Sequence, residues 1–89
     1  MRVIVRGKVQ GVWFRDWLTR KAQQENATGW VRNRSDGSLE AVFGGDTATI
    51  EKMCQWARKG PPLARVTDIE QDSYDDSDAH TPFQQKPTL

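Results

Sequence analysis

Apolar positions along the chain recur with two periods, near two residues and near three and a half, and the switches between them mark out the elements. Val3-Ile4-Val5 between Arg2 and Arg6 predicts a first strand. Residues 13 to about 25 place Phe14, Leu18 and Ala22 at i, i+4 and i+8 with Trp17 beside them, which predicts a helix. Asn26 is suited to cap its C-terminus, because asparagine tolerates left-handed backbone. Trp30 to Asn33 predicts strand two, and Ser35-Asp36-Gly37-Ser38 reads as a hairpin turn. In strand three, Leu39, Ala41 and Phe43 share one face before Gly44-Gly45 ends it. Asp46 or Thr47 then caps a second helix, with Ile50, Met53, Cys54 and Ala57 on one side, that Gly60-Pro61-Pro62 stops. Leu63 to about Gln71 predicts strand four. The order β-α-β-β-α-β predicts an α+β fold, a ferredoxin-like sandwich whose antiparallel sheet carries both helices on one face.

A chain of 89 residues fits one small domain with a limited core. Residues 1–89 are therefore read as a single domain, with an acidic loop at about 72–82 and a weak final strand or tail at 83–89. Only 36% of the residues are apolar and the mean hydropathy is −0.78. Large aromatics must then supply much of the buried area, at about 150–250 Å² each, so Trp13, Trp17, Trp30 and Trp56 are candidates for the core or for the wall of a site. The single cysteine, Cys54, allows no internal disulfide and is expected to be a small buried apolar residue, which suits a reducing compartment. The N-terminal apolar run is too short for a signal-peptide core or a membrane span, so a soluble cytoplasmic protein with no membrane partner is expected.

Net charge is only +1, too little for a general nucleic-acid binder, but it is unevenly divided. Residues 1–34 hold eight Lys/Arg against two Asp/Glu, and residues 35–89 hold five against ten, giving +6 and −5. A small anionic substrate would gain from the field of the basic half. That half also contains Gly7-Lys8-Val9-Gln10-Gly11-Val12-Trp13-Phe14-Arg15, a glycine-punctuated turn between strand one and helix one. Free amides at a helix N-terminus can wrap an oxyanion. Arg15 in the first helical turn opposes the helix dipole by about 0.3–1 kcal/mol unless an anion binds beside it.

This stretch, followed by Gly29-Trp30-Val31-Arg32-Asn33 and Asp36-Gly37-Ser38-Leu39-Glu40-Ala41, resembles the two signature segments of the acylphosphatase family, in order and at the family's spacing. The resemblance runs over nearly the whole chain and fades toward its end. It implies the same sandwich fold, hydrolysis of small acyl phosphates to carboxylate and inorganic phosphate, and Arg15 and Asn33 as the catalytic pair. The chain departs from the family pattern at Glu25, Ala27 and Ala57, and after Phe83, where Gln84-Gln85-Lys86-Pro87 replaces an apolar alternation. A marginally stable domain with a frayed last strand is expected, since Pro87 cannot donate to a ladder.

The residues support the same chemistry without the resemblance. Near the motifs there is no histidine or cysteine, no carboxylate pair and no metal-ligand cluster, so no metal or cofactor is expected. A reaction run on amides, one arginine and one carboxamide needs a good leaving group and a charge-rich transition state. An acyl phosphate supplies both, because the departing carboxylate is a weak base and phosphoryl transfer is helped mainly by positioning and electrostatics. The amides of Gln10, Gly11, Val12, Trp13 and Phe14, with the Arg15 guanidinium, are expected to hold the phosphoryl oxygens. Asn33, at the end of strand two and beside strand one, is expected to orient the attacking water. Inorganic phosphate would be product and inhibitor, Trp13 and Val12 are candidates for the acyl wall, and a monomer is expected. The spacing of Gly7, Lys8 and Gly11 fits neither a nucleoside-triphosphate loop nor a dinucleotide fingerprint. Two other classes stay open: an RNA-binding module, for which strand one has no aromatic to stack bases, and a phosphate-binding domain without turnover.

Overall fold

A computed structural model describes all residues, Met1–Leu89. The period-two segments form β1 (Arg2–Lys8), β2 (Thr28–Asn33), β3 (Leu39–Gly44) and β4 (Arg65–Asp72), and the helical periods form α1 (Phe14–Glu25) and α2 (Thr47–Lys59). A short 3-10 turn (Ser77–His80) precedes the two-residue β5 (Gln84–Gln85). Asn26 ends α1 in the left-handed conformation (φ 56°, ψ 34°), and its N–H returns to the Ala22 and Gln23 carbonyls. Asp46 starts α2 by accepting from the Thr49 N–H at 2.8 Å.

The sheet order is β4-β1-β3-β2-β5. Neighbours are antiparallel from β4 to β2, with Val5 opposite Leu39 and Leu39 opposite Asn33. The expected position of Asn33 beside strand one is therefore corrected. In this split β-α-β unit β3 runs between the two parallel strands, and Asn33 is two strands from Val5. The antiparallel sheet also gains a parallel edge, because β5 runs alongside β2.

One sheet face carries Val3, Val5, Val31, Leu39, Ala41 and Phe43, which pack with Phe14, Leu18 and Ala22 of α1 and Met53, Cys54 and Ala57 of α2. Burial raises the Cys54 thiol pKa and keeps it protonated. On the opposite face Trp30, Val42 and Ala79 form a small second cluster beneath the 3-10 turn. Around the buried Ile4 the rest of that face is mostly charged and paired: Arg32 with Glu40 at 2.8 Å, Arg2 with Asp72 at 2.7 Å and Arg6 with Glu70 at 2.8 Å.

The acidic segment after β4 is more than a solvated linker. Asp76 accepts from the Ala79 N–H at 2.8 Å and from the Trp30 indole N–H at 3.3 Å, which ties the 3-10 turn to β2. The tail after β5 is bonded where fraying was expected. Lys86 N–H donates to the Val31 carbonyl at 2.9 Å and Leu89 N–H to the Asn33 carbonyl at 3.1 Å. Phe83 stacks on Phe43 with ring centroids 6.0 Å apart. Pro87 interrupts regular pairing because it has no N–H, while main-chain bonds on either side of it hold the segment to β2.

Candidate active site

Between β1 and α1 the chain reverses through residues 9–13, and its backbone sets up the site. Gly7 in β1 is required by close packing, since a side chain there would meet the Arg65 carbonyl oxygen of β4 at 2.1 Å. Gly11 (φ 72°) and Trp13 (φ 66°) adopt positive φ, and Val12 between them does not. Such alternation turns successive amides toward a common concavity. Glycine takes this conformation freely; a tryptophan rarely does. Trp13 is the N-cap of α1 and its side chain makes no capping bond. None of the N–H groups from Gln10 to Asp16 donates to an acceptor in the protein.

A cleft of about 190 Å³ opens beside this turn, lined by Val9, Gly11, Trp13, Phe14, Arg15, Asp16, Asn33 and Gln85. Gly11, Trp13, Phe14, Arg15 and Asn33 thus meet there as the motif spacing anticipates. Trp13 is 72% exposed at its edge, whereas Phe14 turns its ring into the core and meets Trp17 edge-on at 5.8 Å. The Arg15 guanidinium forms no hydrogen bond or ion pair with the protein. The half-buried Asn33 projects from the end of β2, its carbonyl bonded to Leu89 and its carboxamide unbonded.

Two residues of the expected cradle do not line the cleft with their side chains. Val12 is buried in the core. Gln10 reaches across to the β2–β3 hairpin, where its Nε2 donates to the Arg34 carbonyl at 2.8 Å and the Ser38 carbonyl at 2.9 Å. In that hairpin the Ser38 hydroxyl and N–H donate to Asp36 at 2.5 and 2.9 Å and hold its carboxyl below the usual carboxylate range. Gln10 therefore joins the two motif segments through the strand end that carries Asn33.

Asp16 and Gln85 line the cleft but were absent from the sequence expectation. Gln85 Nε2 donates to Asp16 Oδ1 at 2.7 Å across a separation of 69 residues. An acidic residue in a first helical turn reads as a complement to the dipole, and the segment around Gln85 has no periodicity to place it. Only the β5 pairing brings them together.

The sequence profile of the Acylphosphatase family matches residues 1–85. The chain belongs to the acylphosphatase family. An acylphosphatase of Rhizorhabdus wittichii is 46% identical over 88 residues, covering 99% of this chain and 88% of that protein. One from Acidiphilium cryptum is 52% identical over 67 residues, 75% of this chain and 74% of that protein. The crystal structure of the acylphosphatase from Bacillus subtilis superposes with a TM-score of 0.88 at 33% identity, covering 96% of this chain and 94% of that one. Acylphosphatases are hydrolases of an acid anhydride, and an anhydride of a carboxylic and a phosphoric acid suits a cleft with bare amides and an unpaired arginine.

Proposed function

We propose that this acylphosphatase cleaves the carboxyl–phosphate anhydride of small acyl phosphates, with the turn amides and Arg15 on the phosphoryl oxygens and Asn33 on the water. The observation that carries the reading is the run of unpaired N–H groups from Gln10 to Asp16 beside a guanidinium with no partner. Amides fixed in a strained turn need no reorganisation as charge builds on the phosphoryl oxygens. The planar guanidinium can bind two of those oxygens at once. The Asn33 carboxamide can accept a hydrogen bond from a water and aim it at phosphorus. It is not a base, so the water proton leaves to a phosphoryl oxygen or to solvent while the P–O bond to the acyl group breaks and carboxylate departs. The products are the carboxylate and inorganic phosphate, and phosphate competes for the same cradle.

The chain acts as one domain over residues 1–89, as a cytoplasmic monomer. Its buried, unpaired Cys54 is compatible with a reducing compartment, and no helix is long and apolar enough to cross a membrane.

The test is hydrolysis of benzoyl phosphate followed in the ultraviolet, beside the rise in melting temperature caused by inorganic phosphate. Arg15→Ala is expected to abolish both signals. Asn33→Ala should lose about 10²- to 10³-fold in kcat and keep most of the phosphate-induced shift. Equal loss of phosphate binding in the two variants would contradict the separate roles. A folded wild type that is stabilised by phosphate but does not turn over would make the domain a phosphate binder.

A further inference from the structure

The proposed chemistry leaves one wall of the cleft without a task. Asp16 comes from the first turn of α1 and Gln85 from β5, and the Gln85 amide holds the Asp16 carboxylate at 2.7 Å. Neither Arg15 nor any other cation forms an ion pair with Asp16. The Gln85 Oε1 atom accepts no hydrogen bond from the protein. An anion cleft thus contains a carboxylate with no cationic partner and an unused acceptor. Both repel phosphoryl oxygens, so the phosphoryl group belongs at the end defined by Gly11, the turn amides and Arg15. What remains for the group attached to phosphorus is the space bounded by the exposed Trp13 ring and the Asp16–Gln85 pair.

We infer that Asp16, positioned by Gln85, is a specificity-determining residue that turns away acyl groups bearing their own negative charge. The inference rests on the acyl phosphate reading above and narrows its substrate class. Preferred acyl groups are neutral, with an apolar face for Trp13 or a hydrogen-bond donor for the free acceptors. Asp16 and Gln85 are solvent-exposed, and a like charge a few ångströms from an exposed carboxylate is still repelled by an amount equivalent to about a fivefold to tenfold loss in kcat/KM. The penalty weakens as salt shortens the screening length.

The experiment compares kcat/KM for benzoyl phosphate, with a neutral acyl group, and succinyl phosphate, whose acyl group carries a carboxylate. Wild type, Asp16→Asn and Gln85→Ala are measured at low and at high salt, and each variant is first shown to melt cooperatively. Asp16→Asn should raise the succinyl-to-benzoyl ratio about fivefold to tenfold at low salt, with the gain shrinking at high salt. Gln85→Ala, which frees the carboxylate without removing it, should move the ratio about twofold. Should Asp16→Asn not fold, Asp16→Ser provides the same comparison. An Asp16 variant whose ratio stays within about twofold of wild type overturns the inference and leaves the hydrolase reading intact. Absence of turnover on both substrates by folded wild type overturns that reading, and this inference with it.

Discussion

At Trp13 the backbone sits at φ 66°, ψ 23°, a conformation that costs a residue with a Cβ about 1–2 kcal/mol. The ring, 72% exposed, recovers little of that through burial. Strain of this kind persists where the surrounding structure imposes it and the site uses it. Here it supplies one of the two positive-φ residues that curl the amides of the turn, and it sets an aromatic face at the rim of the cleft. Trp13→Gly separates the two contributions. Glycine adopts the conformation without strain but adds conformational entropy to the unfolded chain, worth about 0.5–1 kcal/mol. The expected net effect is a stabilisation of up to about 1 kcal/mol, a rise of several degrees in melting temperature for a domain of this size. Loss of the aromatic wall should raise KM for benzoyl phosphate several-fold while phosphate-induced stabilisation persists. Differential scanning fluorimetry with and without phosphate, paired with steady-state kinetics, reads both effects, and a clear fall in melting temperature would show that the left-handed tryptophan is not strained.

Between elements, Gln10 is the connection that positions Asn33. Its carboxamide donates twice into the β2–β3 hairpin, to Arg34 and Ser38, which ties the loop before α1 to the end of β2. Gln10→Ala removes two hydrogen bonds, at about 0.5–1.5 kcal/mol each, from carbonyls that still accept from the Gly37 and Arg34 N–H groups, and keeps the main-chain N–H in the turn. We expect kcat to fall about tenfold, the order of loss that follows when a reacting group is slightly misplaced, with phosphate still raising the melting temperature. Unchanged kcat in a destabilised variant would mean that the clamp serves the fold alone. Contacts of this reach bound what could be read beforehand. The Phe14, Leu18, Ala22 spacing, the Asn26 cap, the Asp46 cap and the alternation of Leu39, Ala41 and Phe43 are local patterns, and each was legible as a local pattern. That Arg15 and Asn33 would meet at one cleft was legible because they fall inside two recognisable segments. The direction of the Gln10 side chain, the order that puts β3 between β1 and β2, and the pairing that carries Gln85 to Asp16 depend on distant partners. The two-residue β5, interrupted by Pro87, has too few alternating positions to announce itself.

Across the whole molecule, the basic half of the chain is less basic in space than in sequence. Arg2, Arg6 and Arg32 lie on the open face of the sheet against Asp72, Glu70 and Glu40. The field felt by an approaching anion therefore comes mainly from the cations left unpaired, Arg15 among them. The same folding-back of charge sets the acid limit of stability. Hydrogen bonds from Arg2 hold the Asp72 carboxyl below its ordinary range, and a bidentate pair at 2.7 and 3.1 Å is the cause. The Thr49 N–H at the start of α2 does the same for Asp46, and Ser38 does it for Asp36. Each carboxyl has a lower pKa folded than unfolded, so the unfolded chain binds protons more readily, and stability must fall as pH falls. The contribution is present above the usual carboxylate pKa and is lost as pH drops through the lower folded values. A denaturation midpoint that is flat from pH 7 to about 5 and declines below about pH 4 is the expected profile. Asp72→Asn and Asp46→Asn should each begin with a lower midpoint at pH 7 and show a shallower acid decline, because the variant has one fewer carboxyl to protonate. Urea titrations at half-unit steps from pH 7 to 3 measure this, and a decline as steep in both variants as in the wild type would assign the acid limit to other carboxyls.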